Sequence, residues 1–117
     1  MANPVTIYHN PRCSTSRRVL ATIREHGIEP IVVEYLKTPP DRAVLERILA
    51  ATGLEPRGLM RRKEPVYAEL GLADPGLGRA ALLDALITHP VLIERPIVVT
   101  AKGTVVCRPP ERVAEVL

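Results

Sequence analysis

Val5-Thr6-Ile7-Tyr8-His9-Asn10-Pro11-Arg12-Cys13-Ser14-Thr15-Ser16-Arg17 is the stretch on which the fold turns. Its first four residues are β-branched or aromatic, the composition of a short strand. Asn10-Pro11 breaks that run, because proline has no N–H for a ladder and steers the residue before it away from helix. From Ser14 onward the pattern changes. Val19, Leu20 and Ile23 recur at i, i+1 and i+4, one face of a helix that Gly27 ends. The spacing predicts a strand that feeds a helix through a polar turn, with Cys13 at the junction.

The same punctuation continues downstream. Ile31-Val32-Val33-Glu34-Tyr35-Leu36 is a second strand, stopped by Thr38-Pro39-Pro40-Asp41, which also caps a helix. That helix places Val44, Leu45, Ile48 and Leu49 on one face and runs to Gly53. Residues 54–89 then hold helical pieces and no convincing strand. Leu59 and Met60 precede the basic cluster Arg61-Arg62-Lys63. Tyr67, Leu70 and Leu72 read as a short helix, and Leu82, Leu83, Leu86 and Ile87 as another that His89-Pro90 terminates. Ile97-Val98-Val99-Thr100 is a third strand, Ala101-Lys102-Gly103 a hairpin turn, and Thr104-Val105-Val106-Cys107 a fourth strand. Pro109-Pro110-Glu111 opens a terminal helix carrying Val113, Val116 and Leu117.

The order is thus β-α-β, a helical block, then β-β-α. Without the block this is the skeleton of a thioredoxin-like α/β fold, a mixed four-stranded sheet flanked by helices. At 117 residues the chain has room for one core. Residues 1–117 are therefore expected to form a single domain with a helical insertion at about residues 54–89.

Composition narrows the function. Three Tyr and no Phe or Trp leave a core of Leu, Ile, Val and Ala, and disfavour stacked aromatic platforms for nucleic acid. The formal charge is +3, and 13 of the 16 basic residues are Arg, which favours an anionic partner. No run of five or six like charges supports a nucleic-acid tail. No apolar signal segment leads the chain and no run of 18 apolar residues follows, so a cytoplasmic, untethered protein is expected, with neither a membrane nor a nucleic acid as partner.

Cys13 and Cys107 lie far apart, and in a reducing compartment a structural disulfide between them is not expected. Cys13 sits where the first turn of a helix offers unpaired N–H groups and the positive end of the macrodipole, both of which favour a thiolate. Arg12 and Arg17 add positive charge, and Ser14, Thr15 and Ser16 add hydroxyl donors for a thiolate or an oxyanion. The alternative, a buried structural cysteine, fits a polar, proline-punctuated turn poorly. A locally closing dithiol would need Cys at position 16, where Ser16 stands, so reducing equivalents must come from outside. Cys107, beside Arg108, reads as packing on the fourth strand. Two lone Cys with His9, His26 and His89 show no ligand spacing, so no bound metal is expected.

Ile7 to Arg17 resembles the active-site loop of the glutaredoxin-dependent arsenate reductases. So do His89-Pro90, the run Glu94-Arg95-Pro96-Ile97-Val98-Val99, and Cys107-Arg108-Pro109. The resemblance spans about Val5 to Leu117. It implies a thioredoxin-like fold with a helical insertion, Cys13 as nucleophile, and Arg61, Arg95 and Arg108 as the residues that hold the oxyanion. It further implies that His9 helps keep Cys13 ionised, that Ser16 belongs to the catalytic loop, and that Arg95-Pro96 is a cis peptide facing the thiolate. Guanidinium forks suit a tetrahedral oxyanion, since they pair bidentately and stay charged. The bland alternative for each arginine is a surface ion pair.

The implied reaction is reduction of arsenate to arsenite through a Cys13–arsenic adduct, with glutathione as co-substrate, glutaredoxin as partner, and no bound cofactor. The chain is expected to act as a monomer. Arg12 and Ser14 depart from the Ala and Gly that the best-characterised members tend to carry. Two other readings share the fold: a regulator of the Spx type, whose usual two-cysteine switch Ser16 removes, and a thiol oxidoreductase acting at Cys13 on another substrate.

Overall fold

The computed structural model describes residues 4–117. The chain divides into two compact units, one of residues up to Thr38 together with Arg95–Leu117, the other Pro39–Glu94.

The first unit is a four-stranded sheet with strand order β2-β1-β3-β4. The strands are β1 (Thr6–His9), β2 (Ile31–Glu34), β3 (Ile97–Thr100) and β4 (Gly103–Val106). β1 and β2 are parallel, with helix α1 (Ser14–Glu25) as the crossover, while β3 runs antiparallel to both β1 and β4. Register puts Ile7 opposite Val98 and Val98 opposite Val105. This row meets Val19 and Ile23 of α1 and Val113 and Val116 of the C-terminal segment in one apolar cluster. Because side chains alternate along a strand, His9 points to the same face as Ile7, toward α1. α1 presents Ser16, Val19 and Ile23 to that face, all of them buried. Truncating a fully buried residue such as Ile7 or Ile23 to Ala is expected to cost about 2–5 kcal/mol.

The four strands and α1 fall where the sequence places them, with β1 one residue later than expected, at Thr6–His9, and three further differences along the chain. β2 ends at Glu34, because Lys37 and Thr38 donate back to the Glu34 carbonyl and turn the chain at Tyr35. β4 begins at Gly103, whose φ of +150° suits a residue without a side chain. The terminal segment is a 3-10 helix, Pro110–Glu115, rather than an α-helix. The Arg95–Pro96 and Arg108–Pro109 bonds are both cis.

The second unit holds α2 (Arg42–Thr52), a 3-10 turn at Pro56–Leu59, α3 (Pro65–Glu69), α4 (Arg79–Thr88) and a 3-10 turn at Pro90–Leu92. Asp41 caps α2 by accepting from the Val44 N–H at 2.9 Å, and Gly53 closes it in the left-handed region at φ +72°. Arg42 pairs with Asp84, and Arg79 with Glu46 at 2.8 Å, joining α2 to α4. The short helix α3 stops at Glu69, so Leu70 is exposed while Leu72, beyond it, is buried. A backbone bridge between Met60 and Ile93 closes the unit, flanked by Arg61 N–H to Leu92 O and Glu94 N–H to Leu59 O, each 2.7 Å. Among the described residues no helix is long and apolar enough to cross a membrane.

Candidate active site

Asn10 builds the turn that carries Cys13. Its side-chain Oδ1 accepts the Arg12 N–H at 3.0 Å and its carbonyl accepts the Cys13 N–H at 3.0 Å. Such a side-chain turn is what an Asn before a proline offers. Cys13 is then the N-cap of α1, in extended conformation at φ −92°, and its carbonyl starts the helix by accepting the Arg17 N–H. No acidic residue occupies the first turn, so the positive end of the helix faces the sulfur alone.

Burial acts to raise the pKa of Cys13, but the Ser16 backbone N–H, a hydrogen bond and charge from Arg95, and the Thr15 N–H together outweigh it. The thiol therefore lies below the ordinary range, the state of a nucleophile. Arg95 has a second feature. Its Nε is buried and has no hydrogen-bond partner among the described residues. Leaving a donor unpaired in a protein costs about 1–3 kcal/mol, and here the donor belongs to the arginine on the thiolate.

His9 and Ser16 form a buried pair behind the loop. Nδ1 of His9 lies 2.6 Å from Ser16 Oγ, and that hydroxyl also accepts the Asn10 N–H at 3.1 Å. His9 is 5% exposed and Ser16 is 0% exposed. Burial is the largest influence on His9 and holds its pKa below the ordinary value. The Glu34 charge opposes this, while Arg24 and Arg17 reinforce it. A neutral imidazole places no positive charge on the thiolate. What His9 touches is the side chain of Ser16, whose backbone N–H reaches the sulfur. A groove of about 640 Å³ opens beside His9, between Pro11 and the outer stripe Arg17, Leu20, Ala21 and Arg24 of α1.

Of the residues expected from the sequence, the first unit brings together Cys13, His9, Ser16 and Arg95. Arg108 joins them through a hydrogen bond from Nη1 to the Arg95 carbonyl at 3.2 Å. Arg61 lies in the second unit, 3.2 Å from Glu64 and 3.9 Å from Glu94. Asn10 and Arg17 are loop builders beyond that set. Arg17 ties α1 to the loop by donating from Nη1 to the Pro11 carbonyl at 2.9 Å. The Asn-Pro pair was the available signal for the first, and nothing local signals the second. Cys107 is free and fully buried. Among the described residues no cluster of His, Cys, Asp or Glu is placed to hold a metal ion.

The ArsC family model matches residues 8–116. An arsenate reductase of Rhizobium meliloti (strain 1021) is 58% identical over 97% of this chain and 81% of its own. The protein YfgD of Escherichia coli (strain K12) is 49% identical over 100% of this chain and 99% of its own. The structure of an arsenate reductase from Vibrio cholerae superposes with a TM-score of 0.96 at 48% identity, covering 100% of each chain. The match takes in the loop, the sheet and the C-terminal segment alike, and the chain belongs to the ArsC family.

Proposed function

We propose that this chain reduces arsenate to arsenite at Cys13, with glutathione and glutaredoxin supplying the electrons. An oxidoreductase of the arsenate reductase type needs an ionised thiol beside a cation with spare donors. The observation that carries the proposal is the placement of Arg95 on the lowered-pKa Cys13 thiol, with its Nε unpaired. Kinship with arsenate reductases at 50% and 58% identity supports arsenate as the oxyanion.

Arg95 and Arg108 hold the oxyanion, and the resemblance assigns Arg61 to the same task. The Cys13 thiolate attacks arsenic(V). A sulfur–arsenic bond forms, and one arsenic-bound oxygen leaves as hydroxide, taking up a proton to become water. A glutathione thiolate then attacks Cys13 Sγ. The new bond is S–S, the sulfur–arsenic bond breaks, and its electron pair stays on arsenic, which leaves as arsenite. Glutaredoxin removes glutathione from the mixed disulfide by thiol exchange and restores the Cys13 thiolate. Ser16 donates its N–H to the thiolate, and His9 positions Ser16. The chain works as one domain with a helical insertion at about residues 54–89, as a monomer in the cytoplasm.

The test is NADPH consumption in the presence of arsenate, glutathione, glutaredoxin and glutathione reductase. Arsenate-dependent turnover is expected for the native chain and none for Cys13→Ser. Absence of turnover in the native chain, with Cys13 still ionised near neutral pH, would discard arsenate as the substrate.

A further inference from the structure

We infer that Arg12 is a specificity-determining residue for the incoming thiol, its guanidinium receiving a carboxylate of the reductant that attacks modified Cys13. The inference rests on the reading of Cys13 as a nucleophile resolved by an external thiol. Four arginines occupy the loop and the first two turns of α1 or lie just beyond, and three are engaged within their own unit. Arg17 donates to the Pro11 carbonyl at 2.9 Å, Arg18 lies 3.3 Å from Glu111, and Arg24 grips Glu29 with two bonds of 3.0 Å. Arg12 is exposed, and among the described residues of its unit no acceptor pairs with its guanidinium.

Its backbone, by contrast, is pinned. The Arg12 N–H is held by Asn10 Oδ1 and the following N–H by the Asn10 carbonyl, each at 3.0 Å. The side chain therefore starts from a fixed point one residue before the nucleophile and ends in water. The groups that ionise Cys13 are the Ser16 and Thr15 N–H groups and Arg95, so the charge of Arg12 is spare for what arrives. The oxyanion has the buried donor of Arg95. The second reactant comes later and from solvent. It is a thiolate with carboxylates of its own, and an exposed guanidinium fork suits those groups. Exposed ion pairs are weak, so such a contact guides the thiol in without trapping the disulfide product.

The test uses the full chain with Cys13 converted to its S-methyl disulfide by methyl methanethiosulfonate. Glutathione, which carries carboxylates, or mercaptoethanol, which carries none, is added and loss of the methylthio mass is followed. In each case the thiolate attacks one sulfur, a new S–S bond forms as the old one breaks, and the displaced thiolate takes a proton from water. The ratio of the glutathione rate to the mercaptoethanol rate is expected to fall about threefold in Arg12→Ala, the scale of an exposed ion pair. It falls further in Arg12→Glu, and high salt removes the difference between native and Arg12→Ala. An unchanged ratio, or an equal fall in both rates, overturns the inference. No arsenate is needed. A chain that fails to reduce arsenate but shows the changed ratio loses the substrate and keeps Arg12, and arsenate turnover with an unchanged ratio does the reverse.

Discussion

The N-terminus of α1 and the end of β4 each present one cysteine, in the same unit and in opposite electrical surroundings. Cys13 faces backbone N–H groups and a guanidinium, which bring its thiol below the ordinary range despite burial. Cys107 is packed among Val5, Ile7, Val98 and Val113, and its Sγ has only a weak contact with the Val105 carbonyl at 3.9 Å. Burial pushes its thiol up to about 12, with Arg112 opposing and Glu115 adding to the rise. The same side chain is a nucleophile at one place and a small hydrophobe at the other. What separates them is not exposure alone, since both are at least partly buried, but whether the buried sulfur meets donors or methyl groups.

The comparison is broken most severely by exchanging the roles. Cys13→Ser is expected to abolish arsenate-dependent turnover, whereas Cys107→Ala retains it. Turnover lost only with Cys107 would mean that the wrong thiol has been assigned. Arg95→Ala comes next. Hydrogen bonds to charged groups contribute about 1.5–3 kcal/mol, so the thiolate reactivity of Cys13 at neutral pH should fall about 10- to 100-fold. Arg95→Lys recovers part of this, read from alkylation rates against pH.

Replacing Cys107 sharpens the other half. Cys107→Ser puts a hydroxyl among valines and should cost about 1–3 kcal/mol of stability, seen as a lower urea midpoint. A thiol reagent should label Cys13 alone in the native chain and both cysteines in denaturant. The smallest effect concerns His9. The unfolded chain protonates it below about 6.5, whereas the folded chain resists because its pKa is lowered. Stability is therefore fully present above that value and declines as the pH falls below it. His9→Asn should flatten the decline of the urea midpoint between neutral and mildly acidic pH, and an unchanged slope would show that His9 is not held neutral.

Much of this arrangement is legible in the residues themselves. β1 is a β-branched and aromatic run closed by Asn10-Pro11, β3 and β4 are β-branched runs bounded by proline or glycine, and α1 announces its face through Val19 and Ile23, so Cys13 is placed at a strand-to-helix junction from sequence alone. The His9–Ser16 pair is not legible in that way. It depends on His9 sharing the Ile7 face of β1 and on α1 crossing that face, which is a matter of packing and not of spacing. The contact of Arg95 with Cys13 joins residues from opposite ends of the sequence, and only the family resemblance pointed to it. The terminal segment carries the proline and valine pattern of an α-helix, yet it is wound as a 3-10 helix. Arg61 reads as one cation in a basic cluster; Glu64, three residues on, is a local neighbour, whereas Glu94 reaches it only through the Met60–Ile93 bridge and has no signal in the spacing.

The most direct measurement is a pH titration of thiolate absorbance in the folded native chain, repeated in Cys13→Ser and in Cys107→Ala. The account predicts one thiolate that forms below the ordinary range and disappears in Cys13→Ser. It predicts a second that stays silent until strongly alkaline pH and disappears in Cys107→Ala. A Cys13 that titrates at or above the ordinary thiol value would contradict it.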